Sequence, residues 1–212
     1  MTAMTHCPDR PGLVPRLSSH HLSRERLIEP MLVSTARVKL LCAPPGSGKS
    51  ALLTECLLRA PEHCRVCWLP LAGASLSAAD FLLRLTQALD LPSADESGLL
   101  AHLARLQTPT WLFLDDYCRA PNPELDRMLD RLLAVANPVL TWWLGSRRRP
   151  SCNWPRLLLD DEVYECEGRA LAFTEAEVGL LLGHVEPTLA ARTAKRVVER
   201  SGGWCAGVRI AL

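Results

Sequence analysis

Short runs of consecutive apolar residues alternate along this chain with segments in which apolar positions recur every three or four residues. That alternation predicts strands buried on both faces, separated by amphipathic helices. The apolar runs are Val38–Cys42, Arg65–Leu71, Thr110–Leu114, Val139–Gly145 and Val163–Glu167. Helical spacing covers Lys49–Arg59, then a segment after Ser77 carrying Phe81, Leu82, Leu85 and Leu89, then Leu99–Leu106. A further helix follows Tyr117: Asn122 can cap it, Pro123 fits its first turn, Glu124 and Asp126 favour its positive end, and it should stop near Asn137-Pro138. Buried strands alternating with helices pair in parallel with helices on both faces, which is the α/β doubly wound class.

From Thr174 the pattern is helical only. "TEAE" has the Thr and Glu spacing of a capping box, and Thr174–Leu182, Thr188–Arg200 and Trp204–Leu212 read as helices. The expected organisation is an N-terminal arm over residues 1–22, an α/β domain over 23–170 and a helical segment over 171–212 that begins a second domain. Trp204, Val208 and Leu212 fall on one side of the last helix, a face expected to be covered by further chain. The sequence therefore reads as a truncated reading frame or a domain fragment. It contains no internal repeat and no low-complexity segment.

Composition narrows the function classes. The chain has 212 residues, 48% of them hydrophobic, enough to bury roughly 70% of its unfolded surface around one core. The net charge of +1, from 24 Lys and Arg against 23 Asp and Glu, gives no field to recruit nucleic acid or an acidic membrane. Direct DNA binding and membrane association by this chain are not expected. The N-terminus "MTAMTHCPDRPGLVPRLSSHH" carries prolines and polar residues where a signal peptide would be apolar. The longest apolar run, Leu132–Leu144, is broken by Asn137-Pro138 and falls short of the ~20 residues of a membrane span. A cytoplasmic setting with reduced thiols is expected for the nine cysteines. Cys64 and Cys67 have zinc-ligand spacing, but no second Cys/His pair follows, and they fit a strand start better.

The chemistry concentrates where the first strand meets a helix. "APPGSGKS", Ala43 to Ser50, follows an apolar strand and opens a helix, as a phosphate-binding loop requires. A chance match to this pattern in a chain of this length arises on the order of one or two per cent of the time. Gly46 and Gly48 permit positive φ and let backbone N–H groups converge on an anion at the positive end of the new helix. Lys49 would lie along the β- and γ-phosphates and Ser50 would hold Mg²⁺. The candidate nucleotide-binding residues are thus Ala43, Pro44, Pro45, Gly46, Ser47, Gly48, Lys49, Ser50 and Ala51. Ala43 stands where the consensus has glycine.

A phosphate loop needs a second metal anchor, and "WLFLDDY" delivers one. Asp115 falls at the C-terminal end of an apolar strand, where ligands of open α/β sheets sit, and would hold Mg²⁺ through water. Asp116 is placed to orient or deprotonate an attacking water. The next strand ends in Ser146-Arg147, and Arg147 at that edge can reach a γ-phosphate and distinguish ATP from ADP. Arg148 and Arg149 read as solvent-facing. Against these readings stand a Gly/Pro turn with a solvated lysine, a pair of solvated acids and a basic surface turn.

Taken together, "RERL" (Arg24 to Leu27), "APPGSGKS", "LFLDDY", "GSRRRP", "LAFTEAEV" (Leu171 to Val178) and "SGGWCAGVRIAL" (Ser201 to Leu212) resemble the ATP-binding module of MalT-like regulators. These are large LuxR-type, ATP-dependent transcription factors of the STAND class of P-loop NTPases. The resemblance covers nearly the whole chain after residue 22. It implies a five-stranded parallel sheet of order 5-1-4-3-2, with the Arg147 strand between the two phosphate-binding strands, and a contact from Arg24 to nucleotide. It implies too that ADP is held at rest, that ATP with Mg²⁺ is bound on induction, and that the ATP state self-associates. Pro30 inside the "RERLIEPML" helix departs from the pattern. Two other readings stay open: a stand-alone P-loop kinase, whose lid would have to come from the arginines of "SRRRP", and a remnant that binds nucleotide without turnover.

Overall fold

The computed structural model describes residues 14–71, 76–91, 95–117, 120–183 and 187–212. The part of the N-terminal arm before residue 14 lies outside the described residues. The elements in chain order are α1 (Glu25–Val33), β1 (Val38–Cys42), α2 (Lys49–Leu58), β2 (Arg65–Pro70), α3 (Ala78–Ala88), α4 (Glu96–Ala104), β3 (Thr110–Asp115), α5 (Pro123–Leu133), β4 (Leu140–Ser146), α6 (Trp154–Leu159), β5 (Val163–Glu167), α7 (Glu175–Leu181), α8 (Pro187–Ser201) and α9 (Cys205–Ala211).

Among the described residues, β1–β5 form one all-parallel sheet in the order β2-β3-β4-β1-β5. This is the expected order read from the other edge. The continuous apolar runs follow from it, because each strand interior is covered twice. On one face, Val38, Leu40, Leu112, Leu114, Leu140, Trp142 and Leu144 pack under α3, α4, α5 and α6. On the other, Leu41, Val66, Trp68, Phe113 and Trp143 pack under Leu27, Ile28 and Met31 of α1 and Leu52, Leu53 and Cys56 of α2.

Along that second face the register aligns Trp68, Phe113, Trp143, Lys39 and Tyr164 in one row across all five strands. Trp68 stacks on Phe113 at 5.5 Å between centroids and Phe113 on Trp143 at 5.3 Å. Lys39 interrupts the aromatic row. Its Nζ lies 5.9 Å from the centroid of Tyr164 and donates to the carbonyl of Ser34 at 2.5 Å. The side chain is buried, and desolvation pushes its pKa down to about 8.

Helix starts show why these segments begin where they do. Asn122 Oδ1 accepts from Leu125 N, with Pro123 in the first turn, and Thr174 with Glu177 forms a reciprocal capping box. α4 begins three residues before its apolar pattern, because Asp95 caps it by accepting from Gly98 N at 2.7 Å. α5 ends at Leu133 rather than near Asn137. The carbonyls of Leu133 and Val135 accept from the Arg37 guanidinium instead, and that guanidinium is also paired with Glu162. α6 was not anticipated. Pro30 sits in the last turn of α1, where its carbonyl accepts from Ser34 N and the helix stops.

α7, α8 and α9 bury Val178, Ala194, Val197 and Val208 together. The last helix does not present Trp204, Val208 and Leu212 as one uncovered face. Val208 is buried in that cluster, and Trp204 lies against the loop after β1.

Candidate functional site

The C-terminal ends of β1, β4 and β3 lie side by side, and the loops leaving them meet. Ala43 N donates to Ser146 O at 3.1 Å, which ties the start of the Ala43–Gly48 loop to the end of β4. Gly46 and Gly48 have φ of +73° and +86°, in the left-handed region that side chains resist. Gly48 is the N-cap of α2 and offers no side chain to its first turn, so those amides remain available to an anion.

Lys49 opens α2 and folds back over the loop. Its Nζ donates to Ala43 O at 2.7 Å and to Pro44 O at 3.0 Å, and Ser47 Oγ also donates to Pro44 O. Burial lowers its pKa, while the nearby Asp116 and Asp115 carboxylates oppose that drop. The next residue completes the link to the third loop: Ser50 Oγ donates to Asp115 Oδ1 at 2.8 Å. Asp115 is buried, and desolvation raises its pKa against the lowering effect of the Ser50 hydrogen bond.

β4 runs between the strands that carry Ser50's loop and Asp115, so this link has to pass over it. It does so at Gly145. A Cβ there would lie 3.2 Å from Asp115 Oδ1 and 2.8 Å from Leu53 Cδ1. A side chain at that point would crowd both Leu53 and the acid that meets the Ser50 hydroxyl.

Asp116 adopts φ of +53°, a conformation aspartate tolerates better than most residues. Arg147 meets it as a fork: Nε lies 3.0 Å from Oδ1 and Nη2 3.4 Å from Oδ2. The flanks of both residues are fixed by buried Asp126 of α5. Its carboxylate accepts from Tyr117 Oη at 3.1 Å and from Ser151 N at 2.9 Å. One turn on, Asp130 accepts from Asn153 N at 2.8 Å. Arg148 is exposed, as expected. Arg149 is exposed but engaged, paired with Glu165 at 3.0 Å and lying 5.1 Å from the Trp154 ring centroid.

A second layer surrounds the loop, of which the sequence pointed only to Arg24, through the resemblance. Trp204 Nε1 donates to Pro45 O at 3.0 Å, Ala206 N donates to Gly46 O at 2.9 Å, and Cys205 Sγ lies 3.1 Å from Ser47 O. Arg24, buried at the start of α1, donates to Leu171 O at 2.7 Å, reaches Cys205 Sγ at 3.5 Å and lies over the Phe173 ring. Residues 15–22 complete a cleft of about 350 Å³ that opens onto the loop, lined by His20, Arg24, Gly48, Phe173, Cys205 and Arg209 among others. His21 pairs with Glu55 at 3.1 Å, and Arg209 donates to His20 O and Ser18 Oγ. The structure therefore brings together Arg24, Ala43–Ala51, Asp115, Asp116 and Arg147.

Neither a family model nor a curated protein matches the sequence. Among solved structures, the chain is similar to a Signal Transduction ATPase with Numerous Domains (STAND) protein with a tetratricopeptide repeat sensor from Pyrococcus horikoshii. The TM-score is 0.65 at 16% identity over 91% of this chain and 30% of that one. It also matches Thermotoga maritima RuvB, with a TM-score of 0.46, 17% identity and coverage of 88% and 59%. A chain of Drosophila ORC bound to AT-rich DNA and Cdc6 matches with a TM-score of 0.45, 14% identity and coverage of 82% and 65%. The chain spans under a third of the length of the STAND protein. The first of these likenesses, with the loop geometry, identifies the fold as that of P-loop NTPases.

Proposed function

We propose that this chain is the ATP-binding, slowly hydrolysing switch module of a LuxR/MalT-type transcriptional regulator. The observation that carries the reading is the 2.8 Å contact from Ser50 Oγ to Asp115 Oδ1. It joins the end of a glycine-rich loop to a strand-end acid, the donor set that hydrated Mg²⁺ takes beside a triphosphate. The buried ammonium of Lys49 and the uncapped start of α2 fit the phosphates of such a ligand. In this reading Ala43–Ala51 wrap the phosphates, through the amides of Gly46–Ala51 and through the Lys49 ammonium, and Ser50 and Asp115 hold the metal. Asp116 orients water, Arg147 meets the terminal phosphate, and Arg24 helps shape the nucleotide cleft. Mg²⁺ would supply charge neutralisation on the phosphate oxygens.

The resemblance adds the biological frame. ADP occupies the resting module, ATP replaces it on induction, the ATP form self-associates in the cytoplasm, and residues 171–212 begin a second domain. Other parts of a longer regulator bind DNA. Among the described residues no helix is long and apolar enough to cross a membrane. A kinase would ask Arg147–Arg149 to close over a second substrate. Arg149 is tied to Glu165, which takes it from such a lid and favours the switch.

Thermal unfolding with and without nucleotide tests the reading. Mg·ATP at 100 times its Kd should add about 2.7 kcal/mol, or roughly 5–10 °C for a chain of this size. No shift with millimolar ATP or ADP refutes it, and phosphate transfer to a small-molecule acceptor would favour the kinase.

A further inference from the structure

Arg147 turns one edge of its guanidinium to a carboxylate. Its Nε and Nη2 are turned toward the two oxygens of Asp116, at 3.0 and 3.4 Å, and both side chains remain partly open to solvent, at 29% and 22% exposure. The pair is held at its flanks. Tyr117 N donates to Gly145 O at 2.9 Å beyond Asp116, and Asp126 grips Tyr117 and Ser151 on either side. Arg147 follows Ser146, whose carbonyl accepts from Ala43 N at 3.1 Å, and Asp116 follows Asp115, which accepts from Ser50 Oγ at 2.8 Å, so the pair borders the phosphate loop.

We propose that Asp116 sets the triphosphate-over-diphosphate preference of this site by competing with the terminal phosphate for Arg147. The inference rests on the nucleotide-binding reading above. A terminal phosphate is a denser anion than a carboxylate and can take over the same planar donors. A diphosphate brings no such group, so the Arg147–Asp116 pair survives its binding. A triphosphate that takes this edge of Arg147 displaces Asp116 from it, and its net advantage is the difference between two charge-assisted contacts. Asp116 thereby holds down an affinity that Arg147 alone would raise.

A double-mutant cycle measured by titration calorimetry tests this, with Mg²⁺ and either ADP or a non-hydrolysable ATP analogue. Asparagine keeps the left-handed backbone accessible at position 116, so Asp116→Asn retains the local fold while weakening the pair. The variant should bind the ATP analogue at least 5-fold more tightly than wild type, with ADP changed by less than 2-fold. In an Arg147→Ala background the same substitution should move the analogue affinity by less than 2-fold. A gain that persists without Arg147, or that is equal for both nucleotides, means only that a negative charge was removed near the phosphates, and the competition is refuted. Unchanged or weaker analogue binding in Asp116→Asn refutes it as well. Wild-type protein that binds neither nucleotide overturns the proposed function and this inference with it. Wild type that binds both while the cycle shows no coupling overturns the inference alone.

Discussion

The indole Nε1 of Trp204 donates to the carbonyl of Pro45 at 3.0 Å, joining residues 159 positions apart. The carbonyls of Pro45 and Gly46 are held from outside by the start of α9, while the amides of Gly46, Ser47 and Gly48 are the ones this loop offers an anion. A change in the loop should reach Trp204 directly. Its emission should change on nucleotide addition, and Trp204→Phe should abolish that component while costing about 0.5–1.5 kcal/mol of stability, toward the lower end because the ring is half exposed. An unchanged nucleotide-dependent signal in Trp204→Phe would assign it to another tryptophan.

Lys49 makes its hydrogen bonds to the carbonyls of Ala43 and Pro44 at the cost of burial that disfavours its charge. Lys49→Ala should therefore leave unfolding of the free protein within about 1 kcal/mol of wild type. It should at the same time erase the nucleotide-induced rise in melting temperature. Denaturant titrations with and without Mg·ATP separate the two effects.

Gly145 leaves the space over which Ser50 and Asp115 meet. Gly145→Ala places a methyl 2.8 Å from Leu53 Cδ1 and 3.2 Å from Asp115 Oδ1. Overpacking of this kind should destabilise by about 1–3 kcal/mol. Because the displaced acid is a proposed metal ligand, the Mg²⁺-dependent part of nucleotide affinity should fall more than the Mg²⁺-independent part. Titration in Mg²⁺ and in EDTA checks this.

Lys39 gives a pH signature with a definite sign. Its pKa is about 8 in the folded chain against 10.5 as the ordinary value, so burial of the cation penalises the folded state below pH 8. That penalty is relieved as pH rises from 8 to 10.5. Lys39→Met should be more stable than wild type by about 1–3 kcal/mol at pH 7, and the difference should shrink across that window. Comparing the two proteins at each pH cancels the buried thiols away from Lys39, such as Cys152, pushed up to about 12, which titrate in both. A difference that stays constant with pH would falsify the assignment.

The sheet was legible because apolar runs and periodic segments are local signals. So were the caps at Asn122 and Thr174, and the phosphate loop with its strand before and helix behind. The positions of Asp115, Asp116 and Arg147 could be placed at strand ends from the same runs, and their gathering follows from the order of the strands. Apart from α6, what escaped depends on contacts distant in sequence. α6 has two prolines nearby and six residues, too few for a period, and Trp154 is fixed by its indole bond to Pro150 O. Lys39 looked like one polar letter in a strand until the register set it between Trp143 and Tyr164. Arg149 looked solvated because its partner, Glu165, lies on another strand. The layer formed by residues 15–22 and Trp204–Ala206 has no spacing rule that would bring it to the loop, and only the resemblance points Arg24 there.

The two carboxylates of α5 that grip Ser151 and Asn153 bear on how fast the site can respond. The main chain beyond Arg147 is nailed down within a few residues, so the guanidinium leaves Asp116 by turning its own side-chain bonds. Such rotations take picoseconds to nanoseconds, whereas loop or domain rearrangements take microseconds or longer. Exchange of partners at Arg147 would then be over long before any turnover, and whatever paces this protein has to be sought in larger movements.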